Sequence, residues 1–135
     1  MPGLLPHLLA GTILYFTGRY AFKAFFDGEQ KRNERILLLF VCLFFSIIPD
    51  VFLGFYYLTG LSSFETLLPY HATFHLIITP VSIILFLLLS IGIDRRRTPT
   101  WLMGIGAVVI HFVMDHFIMD FNLSLIHISE PTRPY

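Results

Sequence analysis

The stretch of sequence that decides the fold is FHLIITPVSIILFLLLSIGI, residues Phe74–Ile93, which contains no Asp, Glu, Lys or Arg. At about 1.5 Å per residue, a helix of this length reaches about 30 Å, which is the thickness of the hydrocarbon core of a bilayer. In lipid the backbone must satisfy its own hydrogen bonds, and a helix does so within one segment. The stretch therefore predicts a transmembrane helix.

Three further apolar segments of similar length flank this one, at about residues 6–26, 36–58 and 101–121. The chain has 135 residues, of which 56% are hydrophobic and 13% charged, with mean hydropathy +0.74, a net charge of zero and one Cys. Such a composition excludes a disordered chain, a nucleic-acid-binding protein and a disulfide scaffold. We expect an all-α polytopic membrane protein, a four-helix up-down bundle forming a single domain over residues 1–122.

The C-terminal stretch Leu125–Tyr135, LIHISEPTRPY, resembles a translated sequencing-library adapter. We therefore interpret residues 123–135 as a non-native tail, expect a different natural sequence after about Asn122, and exclude the tail from the fold.

Basic residues are concentrated in two of the three loops between the apolar segments. The loop after the first segment and the loop after the third contain Lys23, Lys31, Arg32, Arg35 and Arg95–Arg97. The loop Thr59–Tyr70 has neither Lys nor Arg. Because positively charged loops stay in the cytoplasm, both termini are predicted to face outward.

Eight titratable residues within or beside the apolar segments are predicted to lie at one level of the bundle. An up-down path brings the starts of the first and third helices to the same side as the ends of the second and fourth. The residues are His7, Asp50, His71, His75, His111, Asp115, His116 and Asp120. Ionisable groups inside a membrane are costly and usually mark a functional site, here near the outer interface.

The spacing of these residues selects those that face a common centre. His71 and His75 are four residues apart, as are His111 and Asp115, so each pair shares one helix face. The pair His116 and Asp120 is rotated by about 100° from the preceding pair, and we expect it to point away. Pro49 is predicted to kink the second helix and turn Asp50 toward the bundle axis.

Imidazole nitrogen and carboxylate oxygen together suit a divalent Zn, Mn or Fe ion. A catalytic ion would lower the pKa of water toward about 7 and so provide a nucleophile. The spacing fits one ion or two. The predicted metal ligands are His7, His71, His75, His111 and Asp115, with His71 at the mouth of the site, and the predicted catalytic residues are Asp50 and His75.

Four motifs in chain order carry a resemblance to a known family. They are PHLL at residues 6–9, IPDV at 48–51, HATFH at 71–75 and HFVMD at 111–115. The set resembles the small membrane-bound metal-dependent hydrolases, including their LexA-binding, inner-membrane-associated branch. That resemblance implies a metal site, hydrolysis and a location in a prokaryotic inner (cytoplasmic) membrane. The chain departs from the family pattern at Phe52, where a second Asp is frequent. It also departs in HATFH, whose two histidines are separated by three residues, whereas the family often has four, including an Arg-Gly pair.

Three classes of function fit the sequence. The first is a metal-dependent hydrolase acting on a lipid or small-molecule ester or phosphoester at the bilayer surface. The second is a non-catalytic membrane protein whose cluster is a structural metal site or a polar network. The third is a haem-binding electron carrier with His75 and His111 as axial ligands, which a Soret band would reveal.

The distribution of Lys and Arg generates a prediction about topology. Single Cys residues introduced as Ser63→Cys and Thr98→Cys, each in a Cys42→Ser background, should differ in reactivity in intact cells. An impermeant thiol reagent should label the first position and not the second, because only the loop without Lys or Arg faces outward. The reverse labelling pattern would show that the orientation is inverted.

Overall fold

The computed structural model describes residues 4–51, 54, 59 and 64–129, with side chains described in 5–51, 54, 59 and 69–116. The described residues form helices and no strand, which confirms the all-α expectation for this part of the chain. The α-helices are α1 (Leu4–Ala21), α2 (Lys23–Phe26), α3 (Arg32–Phe45), α4 (Phe64–Leu88) and α5 (Thr98–Ser129). Short turns of 3₁₀-helix lie at Glu29–Lys31, Ile48–Asp50 and Arg95–Arg97, and a π-helical turn at Leu89–Ile93 follows α4.

The helix bounds differ from the predicted segments at Pro49 and Pro69. The second segment was expected to run to residue 58, but α3 ends at Phe45, before Pro49. A 3₁₀ turn at Ile48–Asp50 follows it. Proline lacks an N–H and its ring clashes with the preceding turn, so it stops an α-helix a few residues earlier. In contrast, α4 begins ten residues before the predicted start at Phe74 and accommodates Pro69 within its first turns.

The last helix extends past the predicted end at residue 121 and reaches Ser129. Neither Gly nor Pro occurs between Asn122 and Ser129, so no residue of that stretch breaks a helix. A helical backbone here does not bear on the origin of the tail, which stays a prediction.

Two helical stretches among the described residues are long and apolar enough to cross a membrane, Pro69–Ile93 and Arg95–His116. Helix α1 has polar and charged positions at His7 and Arg19. Helix α3 has 14 residues and reaches about 21 Å, less than the hydrocarbon core requires. The arrangement of four spans therefore stays a prediction.

Helix α5 lies at the centre of the packing, in contact with α1, α3 and α4, and α1 also packs against α3. One core cluster consists of Phe26, Leu38 and Cys42, which is free and buried. A second consists of Val41, Phe86 and Val108. These clusters hold the helices at fixed distances below the polar residues described next.

The distribution of polar and apolar side chains is inverted relative to a water-soluble protein. Large apolar side chains point outward along α4 and the π-helical turn that follows it, with Leu76 77% exposed and Ile77, Val81, Ile84, Leu85 and Ile91 also exposed. The interior holds many polar groups: His7, Ser46, His71, Ser82, Ser90, Thr100, His111 and Asp115. An exposed apolar surface of this extent needs a covering, and lipid is one that suits it.

The end of the molecule opposite these histidines is held by arginine contacts. Arg97 binds Glu34 with two hydrogen bonds of 2.8 and 3.1 Å and Asp94 with one of 3.2 Å. Arg35 donates to the carbonyls of Phe26 and Gly28 at 3.0 and 2.8 Å. The loop after α2 and the loop after α4 are thereby tied to α3.

The approach of α1 to α3 depends on Gly11. A Cβ at Gly11 would lie 2.8 Å from the backbone oxygen of Cys42 and 2.5 Å from Oγ of Ser46. The Gly11→Ala variant should therefore lose about 1–3 kcal/mol of unfolding free energy, the usual cost of overpacking. Gly92→Ala is the matched control, because nothing lies within 4 Å of a Cβ there. Thermal unfolding in detergent measures both, and equal stability of the two variants would contradict the close approach.

Candidate metal centre

Six titratable side chains from four parts of the fold converge on one place, which we call the His/Asp cluster. Its members are His7 on α1, Asp50 in the 3₁₀ turn after α3, His71 and His75 on α4, and His111 and Asp115 on α5. His7 and His111 are 1% and 0% exposed. The side chains of Asp50, His75 and Asp115 retain 13%, 12% and 11% exposure and are more accessible from outside than those of the other three members.

His7 lies between the two carboxylates. Its Nε2 is 3.3 Å from Oδ2 of Asp50 and 3.3 Å from Oδ1 of Asp115. The imidazole is also stacked on that of His111, with ring centroids 4.2 Å apart. One oxygen of each aspartate thus faces the N-terminal helix.

The second oxygen of each aspartate faces the histidines of α4 and α5. Oδ2 of Asp115 lies 3.0 Å from Nε2 of His75 and 3.2 Å from Nε2 of His111. Oδ1 of Asp50 lies 3.6, 3.7 and 3.8 Å from the Nε2 atoms of His71, His75 and His111. All four imidazoles therefore point Nε2 into the same small volume.

A backbone carbonyl orients His111. Its Nδ1 lies 2.7 Å from the carbonyl oxygen of Ser46. A carbonyl only accepts hydrogen bonds, so Nδ1 carries the proton, and in the neutral imidazole Nε2 presents a lone pair to the cluster. This arrangement is the usual support of a metal-binding histidine, whose other nitrogen donates to a carbonyl or carboxylate.

The carbonyl of Ser46 is available because of the proline three residues later. In a continued α-helix the N–H of Asp50 would bind the carbonyl of Ser46. Instead it donates to the carbonyl of Ile47 at 2.9 Å, in the 3₁₀ turn that contains Pro49. Pro49, which stops α3, thus also leaves the carbonyl of Ser46 free to accept a hydrogen bond from His111.

Several buried polar atoms of the cluster make no hydrogen bond within the part of the chain that the structure describes. They are both ring nitrogens of His7, Nδ1 of His71, Oδ1 of Asp50 and Oδ1 of Asp115. Each such atom costs about 1–3 kcal/mol when buried. Nε2 of His7 is close to two carboxylates but donates to neither. Atoms that converge without pairing are the expected arrangement around a cation.

The charges and distances also fit a metal ion. In the described residues every Lys and Arg lies within 19–35 or 95–97, at least about 18 Å along the helices from the cluster. The two buried carboxylates must therefore be balanced by protonated imidazoles or by a bound cation. A metal ion with ligands at about 2.0–2.1 Å in a tetrahedron separates them by about 3.3 Å, and the contacts to His7 match that separation. The cluster could thus hold a metal ion.

The structure brings together all six residues that the spacing singled out. His71 is 3% exposed rather than at the mouth of the site, because α4 begins at Phe64 and places it two turns inside the helix. His116 is exposed, in contrast to buried His111 and Asp115. The side chain of Asp120 lies outside the described residues. The catalytic roles of Asp50 and His75 and the ligand roles of the others stay predictions.

Ser46 is not among the predicted site residues, because it contributes a backbone oxygen and not a side chain. The signal that could have found it is Pro49, since a proline in an apolar helix frees carbonyls of the preceding turn.

The distance between His75 and His111 argues against the haem alternative. Their Nε2 atoms are 2.8 Å apart and their ring centroids 4.8 Å apart. Metal–imidazole bonds are about 2 Å long, so two axial nitrogens on opposite sides of an iron lie about 4 Å apart. The pair is too close to hold a macrocycle between its rings.

No protein-family model, curated protein or solved structure matches this chain.

The link between Pro49 and His111 can be tested by Pro49→Ala. Restoring the N–H at position 49 should let α3 continue, so that the N–H of Asp50 takes the carbonyl of Ser46 from His111. Metal affinity, measured by competition with a chelator, should fall 10–100-fold, as for other lost supports of a ligand. Pro80→Ala, at an exposed proline within α4, is the matched control and should bind as the wild type does. Unchanged affinity in Pro49→Ala would contradict the link.

Proposed function

We propose that the protein is an integral membrane metal-dependent hydrolase with its site near the outer face of the bilayer. The observation that carries this proposal is the convergence of four Nε2 atoms and both oxygens of two aspartates in a buried volume without Lys or Arg. A cluster of this kind is costly to bury and is rarely kept without a function.

The membrane part of the proposal combines the two long apolar helices with the exposed apolar side chains. We propose that α1 and the stretch after α3 complete a four-helix bundle. Exposed Leu5, Leu9, Ile13 and Phe16 on α1 support this arrangement, because they form an apolar outer surface around buried His7. Basic residues at the other end of the helices favour placing that end in the cytoplasm.

The metal part of the proposal assigns Zn, Mn or Fe to the cluster. His7, His71, His75, His111 and Asp115 would hold the ion through nitrogen and oxygen donors, which suit these metals. The bound ion would lower the pKa of water and polarise the substrate. Ser46 holds His111 in the orientation that ligation requires.

The exposed members of the cluster indicate where a substrate reaches it. Asp50, His75 and Asp115 are more accessible than the other members, so an ester or phosphoester would approach at the side they share. We assign to the carboxylate of Asp50 the orientation of the attacking water and to His75 the transfer of its proton. A lipid headgroup or a small molecule at the outer interface has access to such a site. The resemblance to membrane-bound metal-dependent hydrolases agrees with this assignment.

One observation favours a second candidate, a structural polar cluster. The contacts among His75, His111 and Asp115, at 2.8 to 3.2 Å, already link α4 to α5 in the structure. Such a network could hold the bundle together with no reaction at all.

Metal analysis of the full chain in detergent distinguishes these functions. We expect the wild type to retain a divalent ion, and His111→Ala and Asp115→Ala to lose most of it while remaining helical, because Ala suits a helix in lipid better than either residue. His116→Ala is the matched control and should keep the ion, because His116 is exposed.

Turnover is then measured on a panel of carboxylic esters and phosphoesters. Hydrolysis that falls in parallel with metal content in the two variants supports the hydrolase. A retained ion with no turnover on the panel would favour a structural metal site. Metal content that is equal in His111→Ala, Asp115→Ala and His116→Ala would contradict the metal centre itself.

A further inference from the structure

We propose that the His/Asp cluster holds two divalent ions bridged by Asp50 and Asp115, and that its substrate is an anionic phosphoester. The inference rests on the proposed metal site and goes beyond it in the number of ions and the class of substrate.

The orientation of the two carboxylates divides the cluster into two positions. The first lies between Nε2 of His7, Oδ2 of Asp50 and Oδ1 of Asp115, with both oxygens 3.3 Å from the nitrogen. The second lies among the other oxygens, Oδ1 of Asp50 and Oδ2 of Asp115, and the histidines of α4 and α5. Each aspartate thus presents one oxygen to each position, as a bridging carboxylate does.

The ligand atoms of the cluster are enough for two ions and more than one ion needs. The first position has three protein donors, which leaves room for solvent or a substrate atom in a tetrahedral site. The second has two oxygens together with Nε2 of His75 and of His111, and Nε2 of His71 lies 3.6 Å from Oδ1 of Asp50. The ligand atoms of His7, Asp50, His111 and Asp115 lie within 4.8 Å of one another, as do those of Asp50, His71 and His75. His111 is therefore within reach of both positions, and Asp50 belongs to both groups.

Charge selects the substrate class. Two divalent ions bring four positive charges, and two carboxylates cancel only two of them. The members of the cluster include no third carboxylate, so hydroxide or an anionic substrate would balance the remaining charge. Paired ions about 3.5–4 Å apart are a known arrangement for displacement at phosphorus. A phosphoester brings negative charge to the pair and a neutral carboxylic ester does not, so the charge of the site favours the phosphoester.

The number of ions is tested by loading the full chain with Mn²⁺ in detergent. We expect two ions per chain and an electron paramagnetic resonance spectrum of an exchange-coupled pair, with hyperfine spacing half that of an isolated ion. His7→Ala, which removes one of the three donors of the first position and none of the second, should retain one ion and lose the coupling. His116→Ala should keep both ions and the coupled spectrum.

The outcomes separate this inference from the proposed function. One ion per chain in the wild type would overturn the pair and leave the metal centre intact. Two ions without coupling would overturn the bridging by aspartate. No bound ion would overturn both. Helicity by circular dichroism and elution volume in detergent establish that each variant is folded.

The substrate class is tested on the loaded protein by adding inorganic phosphate or acetate. We expect phosphate to change the coupled spectrum at a concentration at least tenfold lower than acetate, because it can contact both ions. Equal effects of the two anions, or no effect of phosphate, would overturn the phosphoester assignment. Phosphatidic acid in mixed micelles, compared with glycerol phosphate, identifies whether the phosphoryl group comes from a lipid or a soluble ester. Whichever of the two changes the spectrum at lower concentration is the supported source.

Discussion

The burial of two carboxylates among four imidazoles, far from any described Lys or Arg, is the constraint on which the rest of the structure depends. Buried anions must be paired, and here the partners have to come from separate helices. His7 reaches the cluster because Gly11 lets α1 approach α3 closely. Asp50 reaches it because α3 ends early, and α5 supplies both His111 and Asp115 from one face.

The members of the cluster could be predicted from the sequence because helical geometry is regular. A separation of four residues places His71 with His75 and His111 with Asp115, and counting from the basic loops places all of them at one level. The role of Ser46 could not be found in this way, because any residue has a backbone oxygen and only the local turn decides whether it is free. The ends of the helices were predicted less accurately than the members of the cluster. Proline stops α3 but is accommodated in α4 at Pro69 and Pro80, so residue type alone does not decide where a helix ends.

The two ends of the helices carry opposite kinds of polar interaction. At one end, Arg97 binds Glu34 and Asp94 on the surface, where ion pairs contribute about 0–1 kcal/mol each. At the other end, the histidines and aspartates are buried, and the same kinds of contact weigh far more because unpaired charge there is costly. Between them, Phe86 and Val108 pack α4 on α5. The contacts of Arg97 at the charged end therefore set the position of the loops, and the apolar contacts set the distance between helices at the cluster.

The separation in sequence between His7 and Asp115 has a consequence for biosynthesis. As the chain emerges from the ribosome, His7 and Asp50 are made well before His111 and Asp115. In the proposed membrane-spanning bundle, His7 and Asp50 would lie in lipid during that interval without their native partners, where polar side chains are costly. When α5 packs against the earlier helices, it brings His111 and Asp115 to the cluster together. The bundle therefore closes and becomes able to bind an ion in the same late step. Quality control that recognises exposed charge in the bilayer would thus act on chains in which α5 has not yet packed and spare those in which it has.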